Sequence, residues 1–298
     1  MLAGGTLLPS EWLSAFATAA TSRYAPKLSV QIYVWIQQFQ SQKKTIAEGV
    51  DEALTAIHHA GYRRVELMTD FFQPDLYART LGLLKNDRLG IPTLYAGSTL
   101  HEAADAEKSI TAITQTAREL KDEGLQWIVT NPNAKPHGER KTDAELDLQA
   151  RNLNRLGAEL QKLGVRLMVH HHTPELADNA REWRFQLQHT DPQLVFCCVD
   201  VNWAVRGGQE PVAFLREAGN RLASLHLRNN QEGAWTEDFG AGDIDYSKIA
   251  DYLKEIGFSG YLVVELAYEK RTKITRPLEE DLRLSRLYAE QVFGLKSA

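Results

Sequence analysis

Three consecutive histidines, His170, His171 and His172, follow a short strand-like run, "RLMV" from Arg166, and are closed by Thr173, Pro174 and Glu175. Imidazoles at such spacing can bind a divalent metal or carry protons near neutral pH. On a strand, alternate side chains share a face, so His170 and His172 lie together and His171 points the other way. Similar strand-like runs elsewhere carry further polar residues: Glu66 in "RVELM", Asp200 and Asn202 after "FCCV", His226 and Arg228 in "SLHLR", and Glu265 after "YLVV". Taken singly, each has an ordinary reading. Asp200 could cap a turn, His226 could be a hydrogen-bonded core histidine, and Glu66 and Glu265 could sit in structural ion pairs. Taken together they imply more, because burying Asp200 near Glu265 without a cation costs several kcal/mol. A divalent metal (Mn, Co, Zn or Mg) resolves that conflict, and mixed histidine and carboxylate donors suit a first-row ion better than calcium.

These residues need elements to bring them together. The strand candidates are "LSVQIYVW" (from Leu28), "RVELM" (Arg64), "IPTLYAGS" (Ile91), "LQWIVTN" (Leu125), "RLMVHH" (Arg166), "LVFCCVDV" (Leu194), "LASLHLRN" (Leu222) and "YLVVELA" (Tyr261). Between them, runs such as "TIAEGVDEALTAIHHAG" repeat apolar residues at helical spacing. Gly61, Gly90, Gly124, Gly164 and Gly257 stand where those helices should stop. Eight strands alternating with helices predict an α/β fold, a single (β/α)8 TIM barrel over residues 28–298 with an N-terminal extension over 1–27. A doubly wound sheet is disfavoured because no strand is followed by a glycine-rich phosphate turn. In the barrel, the polar residues above fall at the carboxyl ends of strands, where barrel chemistry is sited.

Composition narrows the function further. The net charge of −5 and the lack of a Lys/Arg run give no reason to expect nucleic acid. The apolar runs are strand-sized, so no membrane span is predicted. Cys197 and Cys198 are adjacent on a strand, face opposite ways and read as packing residues. The segment before Lys27 is rich in small and apolar residues, with Ala15 and Ala17 in an Ala-x-Ala pattern but no basic start. It reads as a short packing helix or a truncated signal segment, which leaves a cytoplasmic or periplasmic location open.

From Leu28 to Phe293 the chain resembles the xylose isomerase-like TIM barrels, the group of sugar isomerases and epimerases that includes endonuclease IV-type enzymes. Within it, "VHHHTPEL" resembles a branch whose fifth strand reads Y-H-N-H-x-x-E-F. The order of "CVDVNWAVRGGQEP", "SLHLRN", "TEDFGAGDIDYSKI" and "LVVELAY" is similar to the same branch. The resemblance implies a metal held by residues ending strands five to eight: Asp200, His226 and Glu265 fill three of these positions. His170 stands at the fourth, where the family usually has Glu, with His172 and Glu175 as alternatives. Trp203 stands where many relatives carry a further histidine, which argues against a three-metal nuclease.

The implied activity is a sugar or keto-sugar isomerase, epimerase or lyase. It would chelate a substrate carbonyl on the metal and remove the adjacent proton to give an enediolate. Glu175 is the first expected base, with His172 and Glu265 as further acid–base groups. Arg228 and Glu66 are expected to bind substrate oxygens, and Trp35, Trp127, Trp203 and Trp235 to stack on a sugar face. A small-molecule sugar is the expected partner, and a homo-oligomer is compatible. A non-catalytic sugar- or metal-binding protein on the same scaffold is the alternative.

Overall fold

Four of the five glycines expected to end helices adopt left-handed backbone: Gly61 (φ 92°), Gly124 (φ 97°), Gly164 (φ 76°) and Gly257 (φ 62°). Residues with a Cβ enter that region only with strain, and each glycine delivers the chain to a strand within four residues. At Gly90 the turn is made instead by Arg88 (φ 53°), and Gly90 itself bridges in parallel to Arg64. The computed structural model describes residues 24–296, so the reading of the segment before Tyr24 lies outside the described residues.

The strands are β1 (Lys27–Gln31), β2 (Val65–Met68), β3 (Thr93–Ser98), β4 (Trp127–Pro132), β5 (Arg166–Val169), β6 (Val195–Asp200), β7 (Leu222–Leu227), β8 (Asn230–Gln231), β9 (Ala234–Trp235) and β10 (Tyr261–Val264). The helices are α1 (Tyr33–Ser41), α2 (Ile46–His59), α3 (Tyr77–Asn86), α4 (Ala103–Leu120), α5 (Asp143–Lys162), α6 (Ala177–His189), α7 (Val201–Arg206), α8 (Pro211–Ala218), α9 (Tyr246–Glu255) and α10 (Leu278–Phe293). Eight strands close in the order β1-β10-β7-β6-β5-β4-β3-β2, all parallel, with helices around them. This is a TIM barrel. Strands β8 and β9 form a small hairpin above β7.

Local chemistry sets the helix starts. Thr45 and Thr142 each accept from the backbone N–H three residues on, while Glu48 and Glu145 reach back to the capping residue. Outward residues such as Leu225 and Leu227 pack against the helix layer, whereas Val129, Met168 and Cys198 form a small apolar plug inside the barrel with Trp127 and Phe196. Cys197 packs in the outer layer, so the two free cysteines do face opposite ways.

Two expectations need correction. The first strand ends at Gln31, because the Trp35 N–H bonds to the Ile32 carbonyl and the chain is already helical from Tyr33. A short apolar run does not distinguish strand from buried helix by periodicity. Trp35 therefore lies on α1, buried against Phe39, and not at a strand end. Trp127 is the first residue of β4, which puts it at the amino-terminal end of the barrel, opposite the expected site.

One irregularity sets the register of the site. Cys197 lies opposite Leu222, but Cys198 lies opposite Ser224, so Ala223 is an extra residue on β7. Without this bulge Asp200 would face Leu225, an outward residue; with it, Asp200 lies beside His226. The bulge presses on Gly260, where any Cβ would collide with the Ala223 carbonyl oxygen. Gly260→Ala is therefore expected to lower stability by about 1–3 kcal/mol, the usual cost of overpacking. A denaturant melt showing an unchanged midpoint would refute that role for the glycine.

Candidate active site

The carboxyl ends of β5, β6, β7 and β10 converge on one group of side chains. His170 follows β5 directly, with its N–H bonded to the Thr130 carbonyl at 2.8 Å. Asp200 ends β6, His226 sits inside β7, and Glu265 follows β10 with its N–H on the Leu227 carbonyl at 3.0 Å. One donor atom from each of His170, Asp200, His226 and Glu265 lies within 4.8 Å of the others, and all four residues are buried. His226 Nδ1 lies 2.7 Å from Glu265 Oε2, and its Nε2 lies 3.0 Å from Glu66 Oε1. Glu66, inside β2, is fully buried and its carboxylate oxygens have no hydrogen-bond partner.

Charge does not balance in this space. Glu66, Asp200 and Glu265 face Arg228 and His226 alone. Arg228 Nη2 donates to Asp200 Oδ2 at 2.8 Å and lies 3.1 Å from Glu265 Oε2. Burial works against a charged Asp200, but Arg228 and then His170 outweigh it and hold the carboxyl well below its usual range. Burial likewise works against a charged His226, yet Cys198, Glu66 and Glu265 hold the imidazole well above its ordinary value. Since burial also raises the Cys198 thiol, the two carboxylates are the physically effective partners.

A divalent ion fits this group. Donors bound to one first-row ion at about 2.0–2.3 Å lie no more than about 4.6 Å apart, so these four, within 4.8 Å of one another, need only a small inward shift. Both ring nitrogens of His170 are buried and unpartnered, with Nε2 3.8 Å from Asp200 Oδ2, too far for a hydrogen bond. His170 is pushed well below its ordinary pKa, chiefly by burial, and so is neutral and able to donate a lone pair.

Two tryptophans form a wall over Arg228. Its guanidinium lies 5.4 Å from the Trp203 ring and 4.6 Å from the Trp235 ring, and the two indoles meet edge to face at 5.3 Å. Trp235 comes from the β8–β9 hairpin and is fixed by its indole N–H on Asn202 Oδ1 at 2.9 Å. Trp203 is placed by Asp200, whose Oδ1 accepts the Trp203 N–H at 2.7 Å as the cap of α7. Arg206 stacks on the outer side of Trp235 and pairs with Glu269 through both oxygens.

The histidine run divides as strand alternation predicts. His171 packs between Trp183 and Phe214 in the helix layer, while His172 lies near His170 and edge-on to Trp203. Glu175 lies elsewhere: the chain turns back after His172, so that Glu175 Oε2 accepts the His172 N–H at 2.7 Å. Its charged neighbours are Glu182 and Lys141, which pair at 2.7 Å, and not the four donors. Trp127, at the start of β4, is likewise not brought to the group. Tyr95 was missed in the sequence: it points inward from β3, 5.6 Å from the His170 ring and 6.5 Å from His226. Alternation with Leu94 and Ala96, which face the helix layer, was the available signal.

The chain belongs to the xylose isomerase-like TIM barrel family, whose model matches residues 54–288. It is 24% identical over 248 residues to an inosose dehydratase of Geobacillus kaustophilus, covering 72% of this chain and 79% of that enzyme. An inosose dehydratase of Clostridium tetani is 27% identical over 169 residues, 50% of this chain; the match spans about half the length of that relative (56%). The fold is shared with a sugar phosphate isomerase/epimerase from Parabacteroides distasonis (TM-score 0.72, 20% identity, 97% of this chain and 100% of that one). It is shared too with D-psicose 3-epimerase from Clostridium cellulolyticum (TM-score 0.71, 12% identity, 90% and 99%).

The position of Glu175 has a consequence for stability. Burial first, and Glu182 second, raise its carboxyl from 4.5 to about 7. A raised carboxyl holds its proton more tightly folded than unfolded, so it supports the fold fully below about pH 4.5 and that support is lost as pH rises through about 7. The change is roughly 3 kcal/mol. Asp281, also raised to about 7 by burial and Glu237, acts in the same direction. His170, His171 and His172, which burial lowers, act with the opposite sign as pH rises toward 6.5. The contribution of Glu175 is therefore read as a difference: between pH 5 and 8 the melting temperature of the wild type should fall relative to that of Glu175→Gln. Parallel profiles for the two proteins would refute the assignment.

Proposed function

We propose that the protein is a divalent-metal-dependent isomerase, epimerase or lyase acting on a keto-sugar or a related cyclic polyol ketone. The observation that carries this reading is the buried group of His170, Asp200, His226 and Glu265 under Arg228 and the tryptophan wall. The names of the relatives agree in their chemistry. Dehydration beside the ketone of an inosose and epimerisation beside that of a psicose both begin by removing a proton next to a carbonyl.

His170, Asp200, His226 and Glu265 would hold the ion, which when bound supplies Lewis-acid polarisation of a substrate carbonyl. Glu265 would take the acidified proton, leaving an enediolate on the substrate. His172, lowered in pKa mainly by burial, is neutral and faces the same mouth. Being neutral, it first takes up a proton, from Glu265 in a dehydration or from solvent in an epimerisation. As imidazolium it then gives that proton to the departing β-hydroxyl or to the opposite face of the enediolate. Arg228 balances negative charge on the substrate oxygens, Glu66 accepts a hydroxyl, Trp203 covers an apolar sugar face, and Trp235, held between Arg228 and Arg206, helps exclude water. Glu175 supports His172 through the backbone and does not itself move the proton.

The test is deuterium uptake from D2O into a panel of ketoses and inososes with Mn, Co, Mg or Zn. Exchange at the carbon beside the carbonyl, lost with a chelator, is expected. His170→Ala should lower metal content, and His171→Ala should leave it unchanged. His172→Ala should retain metal with turnover reduced by roughly 10²-fold. Metal-free protein with full activity would overturn the metal reading. Metal-loaded protein without exchange on any ketone would point to a binding protein on this barrel.

A further inference from the structure

The opposite mouth of the barrel holds a cavity of about 680 Å³, lined by Lys27, Gln126, Trp127, Arg166, Phe196 and Tyr261 among others, with no Asp or Glu in its lining. Lys27 opens β1 and Arg166 opens β5, and these strands are diametrically opposed in the closed order. The two cations therefore face each other across the floor. Arg166 is held over the faces of Trp127 and Phe196, at 5.3 and 5.7 Å, and Lys27 over Tyr261 at 5.1 Å. The Tyr261 hydroxyl is fixed in turn by Gln126 Oε1 at 2.8 Å, which leaves the Gln126 amide N–H groups facing outward as donors. Neither cation has a carboxylate partner among the described residues, and the same is true of Arg63 and Arg64 on the adjoining rim, where the one carboxylate, Glu123, pairs with Lys85 at 3.2 Å. Four unpaired cations at one end of a chain with net charge −5 are not explained by the chemistry at the other end.

We propose that this floor is a second binding site, for the phosphate monoester of a small polyol. The planar guanidinium of Arg166 offers paired N–H donors that match phosphate oxygens, and Lys27 supplies a second charge from the facing wall. Because aromatic faces already hold both cations, less rotamer freedom is lost when an anion binds. The cavity is far larger than an inorganic phosphate and lies in the range of small-molecule sites. Ser259 and Asn220 on the rim offer hydrogen bonds to hydroxyl groups. The proposal is independent of the reaction at the other mouth.

The experiment is isothermal titration of the metal-loaded protein at low ionic strength with glucose 6-phosphate, inorganic phosphate and glucose. Saturable binding of the ester is expected, weaker binding of phosphate, and none of glucose at the floor. Arg166→Gln and Lys27→Gln should each weaken ester binding by about 10-fold or more while melting temperature and activity at the catalytic mouth stay unchanged. Added salt should weaken it further. Ester binding that survives in both variants, or no saturable binding in the wild type, overturns the proposal. Inorganic phosphate binding as tightly as the ester overturns the assignment of the ester.

Discussion

Three carboxylates in one buried space, Glu66, Asp200 and Glu265, set the terms for this end of the molecule. Arg228 neutralises part of their charge by touching both Asp200 and Glu265. His226, protonated between Glu66 and Glu265, offsets a second charge and leaves one uncompensated. If His226 instead gives a lone pair to a metal, two negative charges are left over, which is the charge of one divalent ion. With Glu66 counted beside the four donors, the protonated state leaves one negative charge over and the metal-bound state none. Metal binding should release a proton from this centre, since His226 cannot serve both roles.

Much of the surrounding structure exists to hold that unfavourable group together. The bulge at Ala223 turns Asp200 to face His226, and Gly260 makes room for the bulge. Asp200 then spends its second oxygen on the Trp203 N–H, so the carboxylate at the centre also starts α7 and sets the tryptophan wall. Asn202 ties that helix to Trp235 and to Asn230 on the hairpin. A disturbance at the bulge would thus pass to the wall through a short chain of direct contacts.

The fold was readable because its signals are local. Helix caps at Thr45 and Thr142, stop glycines and alternation on β7 all act over a few residues, so their positions in the sequence carry over to the structure. Asp200, His226 and Glu265 were legible from their places at strand ends, while His170 was singled out from His172 and Glu175 only by the family resemblance. What was not readable depends on contacts between distant segments. The bulge adds one residue on β7 relative to β6 and leaves no mark in "LASLHL". Glu175 has the expected spacing from His172, but a turn folds it back toward Lys141 in the loop before α5 and Glu182 on α6. Trp127 opens its strand where the pattern alone suggested a loop end, and the basic floor is assembled from first residues of strands far apart in sequence.

The triple histidine shows how one strand end can give three identical side chains different properties. His170 and His172 face inward, but only His170 is close enough to Asp200 and His226 to complete the four donors. His171 is turned by the backbone into the helix layer, where burial lowers it to about 3 and keeps it neutral at any working pH. Its two ring nitrogens are buried there without partners, at a cost that a hydrocarbon side chain would avoid. The charge problem at the mouth cannot draw on His171, because burial outweighs the pull of Asp200 and keeps its ring neutral. The metal-binding capacity of the run is therefore set by the direction in which each imidazole points and not by the number of imidazoles.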